Sequence, residues 1–225
     1  MNLRERIETH RGTPYFRALL SYEHSKNLLS GNAFEVKRFI ETLESREIEH
    51  QLGYEEFRKR FRDFDGHLVR YIHNFLASVM TLVSHTRVLT RSPIISSAHR
   101  DRIETKVKEQ FSDSMLAKFI QGFRNYFIHY GVPATIHQTT IFPQERCEIL
   151  IDMKQLQQWP DWTSDARSFI DSHCPTMRIL TLINEYENLA VDFHTWFVLE
   201  FAREYSAQLG ELESLQREWS EQLNY

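Results

Sequence analysis

Apolar residues recur along most of this chain at intervals of three, four or seven, the spacing that gathers them on one face of an α-helix. The clearest stripe starts at Tyr54 and runs through Phe57, Phe61, Phe64, Leu68, Tyr71, Phe75, Val79 and Leu82 to Leu89, ending before Pro93. Such a helix is about 55 Å long, beyond the usual globular length. Gly66 within it suits a bend or a close crossing. A second long stripe consists of Ile179, Leu182, Ile183, Tyr186, Ala190, Phe193, Phe197 and Phe201. It fades through Leu209, Leu212, Leu215 and Trp219, positions that would suit a partner subunit.

Shorter elements fill the remainder. Residues 1–13 are polar and read as a short arm. Pro14 suits the first position of a helix over about 15–30, which Gly31 stops, and Asn32 caps a second helix carrying Phe34, Val36, Phe39, Ile40 and Leu43. Asp101 to Phe111 reads as a short helix. Ser112 or Asp113 then caps another, with Met115, Leu116, Phe119, Ile120, Phe123 and Phe127 as its apolar positions. Gly131 suits a left-handed residue just past its end, and Pro133 blocks continuation. From 134 to 151 the period changes to alternation rich in Thr, Ile and Val around Pro143-Gln144-Glu145, which predicts a β-hairpin. A short helix follows Asp161-Trp162-Thr163 and ends near His173. The expected fold is mainly α: one domain over 1–225, an antiparallel helical bundle with long helices and one small hairpin inserted at 134–151.

Composition agrees with a packed helical domain. In 225 residues, 41% hydrophobic content allows a sizeable core, and 16 Phe with 9 Tyr make that core aromatic. Only 7 Gly and 6 Pro favour long helices over sandwiches or disordered tracts. A net charge of -4 excludes a global basic field, so any nucleic-acid site must be a local patch. Cys147 and Cys174 have neither a disulfide framework nor metal-knuckle spacing and read as buried thiols in a reducing cytoplasm. The charged N-terminus has no apolar leader region, and no run has the length of a membrane span. A cytoplasmic protein with no membrane partner is expected.

The densest chemistry lies in Phe123-Arg124-Asn125-Tyr126-Phe127-Ile128-His129-Tyr130-Gly131-Val132-Pro133. On a helix, Asn125 and His129 stand one turn apart on one face. Arg124 and His129 are separated by about 140° and flank a face instead of stacking. His129 in the last turn meets exposed carbonyls that favour an imidazolium. An arginine can bind a nonbridging phosphate oxygen and stabilise charge developing at phosphorus. A histidine can take the proton of an RNA 2′-hydroxyl or donate one to the leaving oxygen. One histidine does not readily do both in one step. Two copies facing each other across a dimer axis would supply both.

Arg124-Asn125-Tyr126-Phe127-Ile128-His129 resembles the Arg-x4-6-His motif of the HEPN superfamily (higher eukaryotes and prokaryotes nucleotide-binding domain), in which a polar residue, commonly Asn, follows the arginine. Upstream, Asn74-Phe75-Leu76-Ala77-Ser78 with Leu82 and Thr86-Arg87 is similar to one poorly characterised HEPN-like group. The resemblance covers about residues 57–135. It implies a helical bundle that dimerises and brings two motifs into one cleft, with Arg124 and His129 as the catalytic pair and Asn125 in support. Arg87 and Tyr130 would be secondary phosphate or RNA contacts. The implied activity is metal-independent endoribonuclease cleavage without a cofactor, in a toxin or phage-defence setting that can include an antitoxin or defence-system partner. The alternative is a non-catalytic HEPN-like module that binds RNA, a nucleotide or a protein partner.

Other features point less far. No HExxH set, Gly-rich phosphate loop or GxSxG turn is present. Asp63 and Asp65 are two apart and diverge. Arg58-Lys59-Arg60-Phe61-Arg62 reads as a solvated face or an RNA-backbone track. Trp159 and Trp162 read as loop packing, with base stacking as the alternative. His73 and Asn74 are candidates for polar lining beside Arg87. A core-edge hydrogen bond or ion pair is the competing role for Arg87.

Overall fold

The computed structural model describes residues 2–44, 54–140 and 146–223, and the side chains of 54–63 lie outside what it describes, so the basic run at 58–62 is not placed. In chain order the elements are α1 (Leu3–Thr9), α2 (Thr13–Glu44), α3 (Tyr54–Thr90), α4 (Ser97–Val107), a π-helical turn (Lys108–Ser112) and α5 (Met115–His129). Then come β1 (Thr135–Thr140), β2 (Arg146–Asp152), α6 (Met153–Gln157), α7 (Ser164–Ser172), β3 (Thr176–Arg178), α8 (Ile179–Glu204) and α9 (Ser206–Leu223). The fold is mainly α, as the stripes predict.

Cross-helix contacts give the directions. On α2 and α3, Ser25 meets His85, Thr86 bonds the Tyr22 hydroxyl at 3.4 Å, and Phe39 packs on Phe64 and Tyr71. On α2 and α8, Tyr15 meets Phe201, Tyr22 meets Phe197, and Lys37 pairs with Glu187 at 2.6 Å. On α4 and α8, His99 meets Phe201, Arg102 pairs with Glu200, and Phe111 meets Phe193. In each pair the numbering runs in opposite directions, so the packing is antiparallel. The shared core includes Leu29, Val36, Leu68, Phe75, Phe123 and Phe197. No helix among the described residues is long and apolar enough to cross a membrane.

Several local expectations change. Residues 3–9 form α1 and not an arm. Asn2 accepts from the Glu5 amide at 2.8 Å, and Glu5 accepts from the Asn2 amide at 3.0 Å, a reciprocal cap. The helix then seats against α9, with Arg11 on Glu211. A Cβ at Gly12 would lie 2.2 Å from the Gln208 carbonyl oxygen, so only glycine permits this approach. Correspondingly, Leu212 of the C-terminal stripe is buried within the same chain and is not left for a partner. Gly31 does not stop a helix: α2 continues through it because Leu29, Ala33 and Val36 remain on a buried stripe. Packing of that stripe outweighs the roughly 1 kcal/mol that a helical glycine costs. Asn32 therefore sits inside the helix, bonding the Leu28 carbonyl. Gly66 approaches no other chain segment within 4 Å of a built Cβ.

The hairpin is present, with Thr135 opposite Ile151 and Thr140 opposite Arg146, but β3 adds a third strand through Leu150 opposite Arg178. The sheet is tied to the bundle at both ends. Glu44 of α2 accepts from the Ile149 amide at 3.0 Å and pairs with Arg178. Asp65 of α3 accepts from the Thr135 hydroxyl at 3.2 Å. Neither half-buried cysteine forms a disulfide.

Candidate functional site

Helix α5 is positioned by its apolar face. Ser114, not Ser112 or Asp113, caps it, accepting from the Ala117 amide at 3.2 Å, because the π-helical turn uses the two preceding residues. Phe119, Ile120, Phe123 and Tyr126 are buried. Phe119 stacks on Phe169 of α7 and on Trp162. A Cβ at Gly122 would lie 2.6 Å from the Trp162 ring, so glycine at this position lets the indole lie against the helix. Trp159 and Trp162 are buried, and the Trp162 indole donates to the Leu156 carbonyl at 2.6 Å. Both tryptophans are committed to packing and do not offer a stacking face.

This anchoring leaves the last turn of α5 outside the core. The amides of Tyr130 and Gly131 both bond the Tyr126 carbonyl, at 2.9 and 3.0 Å, and the chain leaves the helix without a left-handed residue. The expected left-handed Gly131 is thereby corrected: Tyr130 at φ -120° turns the chain toward Pro133 and β1. His129 and Tyr130 are exposed, and Ile128 and Val132 beside them are large apolar side chains left half open.

Arg124 is partly buried. Its guanidinium donates to the Asn125 side-chain oxygen at 3.2 Å and makes no ion pair among the described residues. An arginine neutralised by a carboxylate would be a structural element; this one has only a neutral partner. Asn125 thus acts on Arg124 directly, orienting its fork. His129 makes no hydrogen bond or ion pair among the described residues.

The structure separates the expected site residues as well as grouping them. Arg124 and Ile128 line a groove of about 420 Å³ against α3, opposite His73, Ala77 and His85. His129 is not among the groove residues, in keeping with its angular offset of about 140° from Arg124. Arg87 is exposed and lines a different cavity, which adjoins the groove at Met80. Within one chain Arg87 and Arg124 thus line neighbouring cavities and not one groove.

His85 is the groove residue that the sequence reading passed over. The buried Ser25 hydroxyl lies 3.0 Å from the Ser21 carbonyl and also meets Nδ1 of the His85 ring, which ties that ring to α2. The signal available was an exposed α3 face of small or polar residues, Ala77, Thr81 and Ser84, bracketed by His73 and His85 at helical spacing. Among the described residues no cluster of three or more His, Cys, Asp or Glu is arranged to hold a metal ion.

No family model, curated protein or solved structure matches this chain.

Proposed function

We propose that the exposed end of α5 is the working part of a metal-independent endoribonuclease of HEPN type, acting on RNA as a homodimer. The observation that carries this reading is the state of Arg124: a half-buried guanidinium oriented by Asn125 and unneutralised by any described carboxylate. Such a group is pre-positioned for an external phosphate, because binding displaces no internal ion pair and little side-chain freedom remains to be lost. His129, exposed one turn further on, supplies the proton transfer.

Within one protomer the two side chains leave opposite flanks of α5, which is the physical reason for a second copy. Arg124 of one chain and His129 of the other would flank one phosphodiester. The half-open Ile128 and Val132 give apolar area for the contact. The 2′-hydroxyl loses its proton to an imidazole, its oxygen attacks phosphorus, and the 5′-oxygen leaves with a proton from the second imidazole. The product is a cyclic phosphate. An RNA substrate implies action in the cytoplasm, and an antitoxin or defence-system partner is the form of restraint that the resemblance implies.

The test is cleavage of a labelled RNA in the presence of EDTA by the wild type and by Arg124→Ala and His129→Ala variants. Both variants are expected to be inactive while keeping their fold. Mixing the two should restore little activity, since a mixed dimer holds one Arg124 and one His129 while the reaction uses two imidazoles. Full activity of a folded His129→Ala protein would overturn the reading. RNA binding without turnover in the wild type would favour a non-catalytic RNA- or nucleotide-binding module.

A further inference from the structure

Adjoining the Arg124 groove at Met80 lies a cavity of about 400 Å³, lined by α3, α4, the π-helical turn, α5 and α8. Its walls are apolar: Leu82, Ile103, Val107, Phe111 and Phe193 all face it. Phe111 belongs to the π-helical turn, a local widening that is frequent at functional sites. The size is that of small-molecule sites, which are mostly apolar with a few placed polar groups.

Two polar features interrupt the apolar lining. The first is Tyr186, which lines the cavity, is only 3% exposed, and has no hydrogen-bond partner among the described residues. The second is the mouth. Arg87 in the last turn of α3 and Arg91 just past its end, whose amide bonds the Arg87 carbonyl, are both exposed with side chains unpaired among the described residues. Lys118 at the rim is paired with Asp165, and Glu104 is the lining carboxylate. Two free arginines against one glutamate make a cationic mouth on a chain whose net charge is -4.

We infer that this cavity binds a small amphipathic carboxylate, with its apolar body among Leu82, Ile103 and Phe193 and its carboxylate at Arg87 and Arg91. A cation would be repelled at the mouth. The site shares neither Arg124 nor His129 and stands independently of the nuclease reading.

Titration calorimetry on the full chain with decanoate, decan-1-ol and decyltrimethylammonium tests this. Decanoate should bind saturably at one site, with the alcohol at least tenfold weaker and the cation without detectable heat. The double variant Arg87→Glu/Arg91→Glu should weaken decanoate at least tenfold with an unchanged melting temperature, since both side chains are exposed. Val83→Phe, which narrows the cavity without touching its charges, should also weaken binding; if that variant does not fold, the arginine pair still decides. No saturable decanoate binding, equal affinity for the three probes, or indifference to the arginine double variant would each overturn the inference.

Discussion

Arg102 on α4 and Arg124 on α5 are both helix-borne arginines against the bundle, and they occupy opposite electrostatic states. Arg102 reaches Glu200 at 2.7 Å and Glu204 at 2.6 Å, and Arg203 adds a second cation on Glu200. Burial pushes the Glu200 carboxyl up, but the hydrogen bonds from Arg102 and Arg203 outweigh it and hold the group below the usual carboxylate range. Arg124 has no described acid and is oriented by a neutral amide. The first guanidinium is spent on joining α4 to α8. The second is held in place and left open, which is what recognition of an external phosphate requires. An arginine is thus functionally informative through the partner it lacks.

The contrast breaks most sharply on activity. Arg124→Lys keeps the charge but loses the planar fork, and RNA cleavage should fall by about 10²–10³-fold. Its melting temperature should stay near that of the wild type, because no ion pair is lost. A large loss of stability instead would place Arg124 with Arg102 as a structural residue. Conversely, Glu200→Ala leaves Arg102 and Arg203 without their shared acid at a buried position. Urea unfolding should show a loss of about 2–3 kcal/mol, below the range for fully buried pairs because both arginines reach solvent. RNA cleavage per folded molecule should be unchanged.

A smaller effect is expected at the anchor that keeps α5 in register. Gly122→Ala adds a methyl 2.6 Å from the Trp162 ring. It should destabilise by about 1–2 kcal/mol despite the better helix propensity of alanine, measured by thermal unfolding. Loss of cleavage beyond the loss of folded protein would show that the last turn depends on this packing.

The smallest effect is on pH dependence. His99 is fully buried beside the Tyr205 hydroxyl at 3.1 Å, and burial lowers its affinity for a proton. The folded state therefore prefers the neutral ring. The stability this supplies is complete above the ordinary histidine value of about 6.5 and declines as pH falls below it. His194, also lowered by burial, contributes in the same direction. His99→Gln should flatten part of the decline between neutral and mildly acidic pH in unfolding titrations. An unchanged slope would exclude His99 as a source.

Much of the architecture was readable where one signal dominated. The 57–89 stripe became α3, and the alternation at 134–151 became β1 and β2 within a residue or two. Failures occurred where a local signal competed with distant packing. Gly31 marks a stop in isolation, yet Leu29 and Ala33 bury the helix through it. The three residues of β3 form a strand because Leu150 and Ile151 pair with them. The polar residues 3–9 became a helix by capping and by contact with α9, some 200 positions away.

For the candidate site the division is similar. Residue types and helical spacing alone determined that Arg124, Asn125 and His129 share the end of one helix and that Arg124 and His129 leave it about 140° apart. Only the tertiary structure decided that Arg124 is unneutralised, that His85 and not Arg87 shares its groove, and that Arg87 belongs to a separate cavity. The reason is physical. Helical geometry is local and is written in the order of residues. The rotation of α3 against α5 is set by packing in the shared core, to which Phe75, Leu76 and Phe123 all belong, and that packing depends on the whole core at once.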